Sequence, residues 1–143
     1  MQPDLAAAPP SGLVTLLFTR LEDASSLWRQ LGEDIRPILV RLDDLLRSQM
    51  ARYGGYVVKR EGTDYLVAFQ DPAAALRAAV AAQEAIGATP WAALAPNLMV
   101  AGGGQVVRVG MGLHTGQVIP RTDPTTGRVD YYGTPVNLAA RLM

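Results

Sequence analysis

The segment GGYVVKREGTDYLVAF, Gly54 to Phe69, places a charged stretch between two apolar runs. The first run leads into Lys59 to Glu61, and the second, Tyr65 to Phe69, is apolar throughout. Between them lies the pair Gly62-Thr63. Two short β-prone runs separated by a glycine-containing pair are typical of a β-hairpin. The sequence therefore predicts strands at 56–61 and 65–69 joined by a tight turn.

Helical patterns lie on both sides of this hairpin. Before it, apolar residues recur at steps of three and four from Asp34, a candidate N-cap, to the glycines at 54 and 55. An earlier helical pattern, SSLWRQL, ends near Gly32. After the hairpin, Asp71-Pro72 is an N-cap followed by proline at the first helical position. The apolar stripe of that following helix is predicted to comprise Leu76, Ala79, Val80, Gln83 and Ile86.

Further strands are predicted towards both ends of the chain. The run LVTLLF, Leu13 to Phe18, is typical of a buried strand, and Val106 to Gly116 predicts another. A second hairpin is predicted from Gln117–Ile119 and Val129–Tyr132, and Thr134-Pro135 caps a last helix. The Pro- and Gly-rich stretch between the helix after Asp71 and the strand from Val106 predicts a surface loop. This order of elements favours an α+β fold with helices packed on one face of a sheet.

The composition excludes several classes of function. At 143 residues the chain fits one domain, and 13 basic against 13 acidic residues give no net charge to attract nucleic acid or an anionic membrane. There is no cysteine, so disulfides and thiolate chemistry are excluded, and the single histidine, His114, cannot build a multi-histidine metal site. We interpret His114 as a structural strand residue.

The first twelve residues predict a flexible tail followed by one domain over 13–143. They lack the basic start and unbroken apolar run of a secretory signal. The longest apolar stretches are interrupted by charged residues or prolines, so we expect no membrane insertion and a cytoplasmic location.

Three segments resemble one family, in order and at its usual spacings: FTRLEDASSLW, GGYVVKREGTDYLVAF, and VRVGMGLHTG through DYYGTPVNLAARL. They are similar to the class III adenylyl/guanylyl cyclase catalytic domain. The resemblance implies a ferredoxin-like core, dimers with sites between two chains, and conversion of ATP to cyclic AMP and pyrophosphate with Mg²⁺ or Mn²⁺. It also implies a final strand pair beyond residue 143, so the domain is expected to be C-terminally incomplete here.

The resemblance assigns one half of a catalytic site. Lys59 matches the lysine that donates to an adenine ring nitrogen, and Asp130 matches the aspartate that accepts from the adenine amino group. Asn137 matches the asparagine that positions the ribose. Arg141 matches the arginine that stabilises charge on the reacting phosphate, and the two lie four residues apart, on one face of a helix.

The other half departs from the family. Arg20 and Thr63 stand where the resemblance implies two metal-binding aspartates, and Asp23 stands at a glycine of the phosphate loop. Asp64 is a possible irregular metal ligand, but strand alternation is expected to turn it to the opposite face. A chain without metal ligands cannot hold the ions that stabilise phosphate charge in this reaction. We therefore expect a homodimer of this chain to be inactive. The chain is expected to complete a site only together with a metal-competent partner chain.

Three alternatives stay open. The first is a nucleotide-binding or dimerising regulatory module without chemistry, in which the Arg20 guanidinium pairs with phosphate oxygens in place of a metal. The second is a working cyclase with irregular ligands: Asp64, Glu61 or Glu22. The third is a nonfunctional fragment.

Overall fold

The computed structural model describes residues 9–95 and 107–132. The last helix predicted from the sequence lies outside the described residues, and so does most of the predicted surface loop. Within these two ranges the elements are, in order, β1 (Leu13–Leu21), α1 (Ala24–Leu31), a 3-10 turn (Gly32–Ile35), α2 (Arg36–Arg52), β2 (Tyr56–Glu61), β3 (Asp64–Phe69), α3 (Pro72–Ala88), α4 (Trp91–Leu94), β4 (Val109–Gln117), β5 (Ile119–Thr122) and β6 (Val129–Tyr132).

In the described part of the chain, four strands form the central sheet in the order β2-β3-β1-β4, and every neighbouring pair is antiparallel. With helices between β1 and β2 and between β3 and β4, this is the ferredoxin-like arrangement. The strands β5 and β6 pair with each other in a separate ribbon, which we call the arm. The predicted α+β fold with an antiparallel sheet is confirmed.

The larger core lies between the sheet and the helices. Leu17 of β1 and Val67 of β3 pack there against apolar residues of α2 that recur at helical spacing. These residues of α2 are Ile38, Leu42, Leu45, Leu46 and Met50. The sequence pattern therefore predicts the buried face of α2 correctly.

A smaller core covers the opposite face of the sheet. Leu16 of β1 and Leu66 of β3 lie there with Tyr131 of the arm and with Val118, the residue just before the arm. The arm thus covers part of the face that the helices leave open. It is on this second face that the candidate site residues lie.

The predicted apolar stripe of α3 is partly wrong. Leu76 and Val80 are 57% and 50% exposed, whereas the buried face consists of Ala75, Ala78, Ala79, Ala82 and Ile86. Alanines allow the helix to approach the sheet closely, so the small side chains face inwards. The larger apolar residues point outwards.

Several boundaries also differ from the predictions. Asp34 lies in the 3-10 turn and does not cap α2, and the strand predicted at Val106–Gly116 runs from Val109 to Gln117. Trp28 of α1 is 52% exposed. The Asp71 cap is confirmed, since its carboxylate accepts from the backbone N–H of Ala73 at 3.0 Å.

Among the described residues, no helix is both long enough and apolar enough to cross a membrane.

Candidate functional site

The hairpin tip is built by a two-residue turn. Glu61 pairs with Asp64, so Gly62 and Thr63 make the whole connection between β2 and β3. Gly62 has a φ of 60°, as the first central residue of a type II′ turn requires. Thr63 therefore belongs to the turn and not to either strand.

Beside this tip, Arg20 and Asp64 form an ion pair. The last residues paired between β1 and β3 are Thr19 and Tyr65, so Arg20 and Asp64 follow as the next two positions across the strands. Arg20 Nε lies 3.7 Å from Asp64 Oδ2, with the two side chains 57% and 32% exposed. A protein cation thus occupies the position where the resemblance implies a metal ligand.

The expectation that Asp64 is turned away from this position is not met. Alternation of side chains holds along a strand, but it does not continue through a turn. Because Thr63 is in the turn, the face of Asp64 is set by its pairing across the sheet. Asp64 therefore shares a face with Arg20.

A second ion-pair group lies at the start of α1. Arg108 Nε lies 3.7 Å from Glu22 Oε2, and its Nη2 lies 3.6 Å from Asp23 Oδ2. Asp23 has a φ of 54° and is the N-cap of α1, although its side chain makes no capping hydrogen bond. Aspartate tolerates this left-handed conformation better than most residues, but glycine adopts it without strain.

These residues do not fit a pair of divalent metal ions. Arg20 would repel a cation, and the nearby carboxylates Asp64, Glu22 and Asp23 each lie beside an arginine. Within 9–95 and 107–132, no three histidine, cysteine, aspartate or glutamate residues come together in a way that could hold a metal.

The two residues assigned to adenine do come together. Lys59 Nζ lies 3.4 Å from Asp130 Oδ2, with the side chains 45% and 33% exposed. In addition, Asp130 Oδ1 accepts from the backbone N–H of Tyr131 at 2.8 Å. A donor and an acceptor are thus held side by side on the face that the helices leave open.

Contacts between the arm and β2 produce this juxtaposition. The Tyr56 hydroxyl accepts from the backbone N–H of Val129 at 3.2 Å, and Arg128 donates to the carbonyl of Val57. The Arg128 guanidinium also lies 5.1 Å from the centre of the Tyr56 ring, in cation–π geometry. Sequence reasoning missed this network, because its partners are far apart along the chain.

Tyr131 fixes the arm from its other side. Its ring is buried, and its hydroxyl donates to the carbonyl of Pro10 just before β1. Burial, together with the nearby Tyr56, raises the pKa of Tyr131 to about 12. The residue next to Asp130 is therefore anchored to the start of the domain.

The remaining predicted residues add less to the described site. Asn137 and Arg141 lie outside the described residues. His114 is partly buried on β4, paired with Leu16 across the strands.

Comparisons with known proteins agree with this architecture. The Adenylate and Guanylate cyclase catalytic domain family matches residues 6–143. The adenylate cyclase of Lachancea kluyveri is 34% identical over 151 aligned residues, which cover 99% of this chain and 8% of that protein. The adenylate cyclase of Podospora anserina is 32% identical, over 97% of this chain and 7% of that protein. The chain thus spans less than a tenth of the length of these fungal relatives.

A solved structure is similar over nearly the whole chain. An adenylate cyclase from Trypanosoma brucei, solved in its monomeric state, superposes with a TM-score of 0.83 at 29% identity. The match covers 95% of this chain and 71% of that one. The chain belongs to the adenylate and guanylate cyclase catalytic domain family.

Proposed function

We propose that this chain is the base-reading half of an adenylate cyclase and needs a partner chain to supply the metal ions. One observation carries the proposal: Lys59 and Asp130 are assembled as a donor and an acceptor, while Arg20 and Asp64 form an ion pair where metals are expected. The adenylate cyclases of two fungi among its relatives support the choice of reaction.

The chemistry of the assembled pair favours adenine. The Watson–Crick edge of adenine offers a ring-nitrogen acceptor next to an amino donor. The Lys59 ammonium can only donate, and the Asp130 carboxylate can only accept, so together they match that edge. Guanine presents a carbonyl acceptor beside N–H donors at these positions and would meet the wrong partner at each.

The chemistry of the other pair disfavours turnover by the chain alone. Phosphoryl chemistry in this family relies on divalent ions to stabilise charge on phosphate oxygens. Arg20 and Asp64 neutralise each other, and no three acidic residues in the described part of the chain come together to hold such an ion. We infer that a homodimer is inactive. In a heterodimer, Asn137 and Arg141 would act with Lys59 and Asp130 opposite the partner's two aspartates.

Cyclic AMP formation from Mn²⁺-ATP tests the proposal. The unmodified full chain is assayed alone, and the Arg20→Asp, Thr63→Asp double variant is assayed in the same way. In a third assay, the unmodified chain is mixed with a cyclase chain that retains both metal aspartates but lacks its own base-reading lysine and aspartate. We expect no product from the chain alone and product from the mixture. Product from the unmodified chain alone would overturn the proposal and direct attention to Asp64 as a ligand.

Two variants control the mixture experiment. Lys59→Ala in this chain should abolish product formation by the mixture, because the base is no longer read. Arg36→Gln removes an exposed charge paired only locally with Glu33 and should leave product formation unchanged.

The exposure of Arg20 favours a second candidate, nucleotide binding without chemistry. Its side chain is 57% exposed, and the guanidinium could pair with phosphate oxygens in place of a metal. In that case the ATP affinity is the same in EDTA and in Mg²⁺, and Arg20→Ala lowers this affinity. An ATP affinity that Arg20→Ala leaves unchanged would exclude this candidate.

A further inference from the structure

A polar cavity lies between α2 and the C-terminal end of α3. Its volume is about 500 Å³. The apolar part of its lining consists of Leu45, Ala85, Ala88 and Pro90, and the other lining side chains are polar or charged. The cavity is on the helical side of the molecule, and neither the adenine-reading pair nor the ion pair at the hairpin tip lines it.

One of the lining residues carries an acceptor without a donor. Gln49 Oε1 is buried, and among the described residues no group donates a hydrogen bond to it. Removing an amide oxygen from water is unfavourable unless another donor replaces the water. Because Gln49 lines the cavity, a ligand bound there can supply that donor.

The two hydroxyl groups of the lining also act as acceptors. Ser48 donates its hydroxyl proton to the carbonyl of Leu45 at 3.0 Å, and Thr89 donates to the carbonyl of Ala85 at 2.7 Å. A hydroxyl has a single proton but two lone pairs, so each oxygen can still accept from a ligand. Together with the amide oxygen of Gln49, three uncharged acceptors line the cavity.

The electrostatics of the cavity favour a cation. Asp44 is exposed in the lining and, within the described residues, makes no ion pair. The C-terminal end of α3 adds partial negative charge, since its last turn contains no basic residue. Arg41 is the opposing charge, but it is exposed and also lines a neighbouring cavity of about 970 Å³, so it lies at the boundary between the two.

We propose that this cavity binds a small organic molecule through a primary ammonium group. An ammonium group has three N–H donors and no acceptor, which matches the three uncharged acceptors, and its charge is complementary to Asp44. The apolar lining residues provide a surface for a short hydrocarbon chain. A hydroxyl ligand offers only one donor, and Asp44 repels an anion. This site is separate from the cyclase function, so failure of either proposal leaves the other standing.

NMR titration of the full, ¹⁵N-labelled chain tests this site. Butylammonium chloride is added at constant ionic strength, and the backbone N–H signals of Ser48, Gln49 and Thr89 are followed. We expect saturable shifts of these signals. Butyltrimethylammonium has the same charge and a similar chain but no N–H donor, so it should bind at least roughly tenfold more weakly.

Three variants identify the groups that bind. Gln49→Leu removes the unpaired acceptor and should weaken butylammonium binding by roughly tenfold. Asp44→Asn removes the attracting charge and should also weaken binding, whereas Arg41→Gln removes the opposing charge and should strengthen it. Glu84→Gln removes an exposed acidic charge of α3 outside the cavity lining and is the matched control for Asp44→Asn.

Different outcomes would overturn the site. Shifts that do not saturate, or equal affinities for the two ammonium ions, would mean that no N–H donor is recognised. An equal loss of affinity in Asp44→Asn and Glu84→Gln would mean that only general charge attracts the ligand. Unchanged affinity in a folded Gln49→Leu, with folding checked by circular dichroism, would also exclude the site. The comparison of the two ammonium ions uses the unmodified chain and therefore decides the question even if this variant does not fold.

Discussion

The ammonium of Lys59 lies 3.4 Å from a carboxylate oxygen of Asp130, although one residue is on the edge strand of the central sheet and the other is on the arm. Each side chain therefore holds the other in position. This mutual neutralisation explains how two charges can stay close together on a half-exposed face.

Exchanging this pair should change the base that is bound. Lys59→Glu supplies an acceptor for the ring N–H of guanine, and Asp130→Ser supplies a donor for its carbonyl oxygen. We expect the double variant to shift the preference between ATP and GTP towards GTP by roughly tenfold or more. Competition between the two nucleotides in an equilibrium binding assay measures this ratio. Unchanged affinities for both would mean that the pair does not read the base.

Loss of the Tyr131 hydroxyl should loosen the arm. Tyr131→Phe leaves the carbonyl of Pro10 without its donor, so we expect the free energy of unfolding to fall by about 1 kcal/mol. Urea denaturation at neutral pH measures this loss. An unchanged midpoint would show that the hydrogen bond contributes nothing net.

The raised pKa of Tyr131 also predicts a pH dependence. The unfolded chain loses this proton near pH 10, whereas the folded chain keeps it until about pH 12. Between these values the unfolded state binds fewer protons, so stability is full below pH 10 and declines as the pH rises to 12. In Tyr131→Phe this part of the alkaline decline should be missing. Urea midpoints of both proteins across this range provide the comparison.

Two glycines should respond in opposite ways to alanine. A Cβ atom on Gly55 would lie 2.7 Å from Val67 Cγ1 and 2.8 Å from the Phe69 ring, so Gly55→Ala should destabilise the fold by about 1–3 kcal/mol. Gly87 lies in α3 with open space around it, and Gly87→Ala should stabilise by up to about 1 kcal/mol. Thermal unfolding of both variants tests the contrast, and the same sign for both would contradict it.

The inward face of α3 should tolerate little added volume. Ala82 is fully buried, and Ala82→Leu should cost about 1–3 kcal/mol through overpacking. Leu76→Ser on the exposed face should change stability by no more than about 0.5 kcal/mol. Chemical denaturation of the two variants distinguishes the faces. A larger effect at Leu76 would mean that the helix is rotated from its described position.

Local signals sufficed for some of the fold. The hairpin at Gly62-Thr63 and the cap at Asp71 were predicted because turn and capping chemistry depends on neighbouring residues. The buried face of α3 was not predicted correctly. Leu76 is more hydrophobic than alanine and was therefore placed in the core, but hydrophobicity carries no information on how closely a helix approaches a sheet.

The site shows the same division. Lys59 and Asp130 were predicted through a family resemblance, and the structure shows the contact between them. The ion pair of Arg20 with Asp64 depends on strand register, which sequence alone does not give. The role of Tyr131 depends on a contact with Pro10, at the other end of the domain.

The contacts between the arm and β2 have a consequence for solubility. Within the described residues, β2 forms one edge of the sheet and pairs only with β3. An open edge can recruit a strand from another molecule and start aggregation. Arg128 already donates to the carbonyl of Val57. The register shift between Val57 and Lys59 further disfavours regular pairing with another strand. The arm thereby reduces the risk that two copies of the chain join edge to edge.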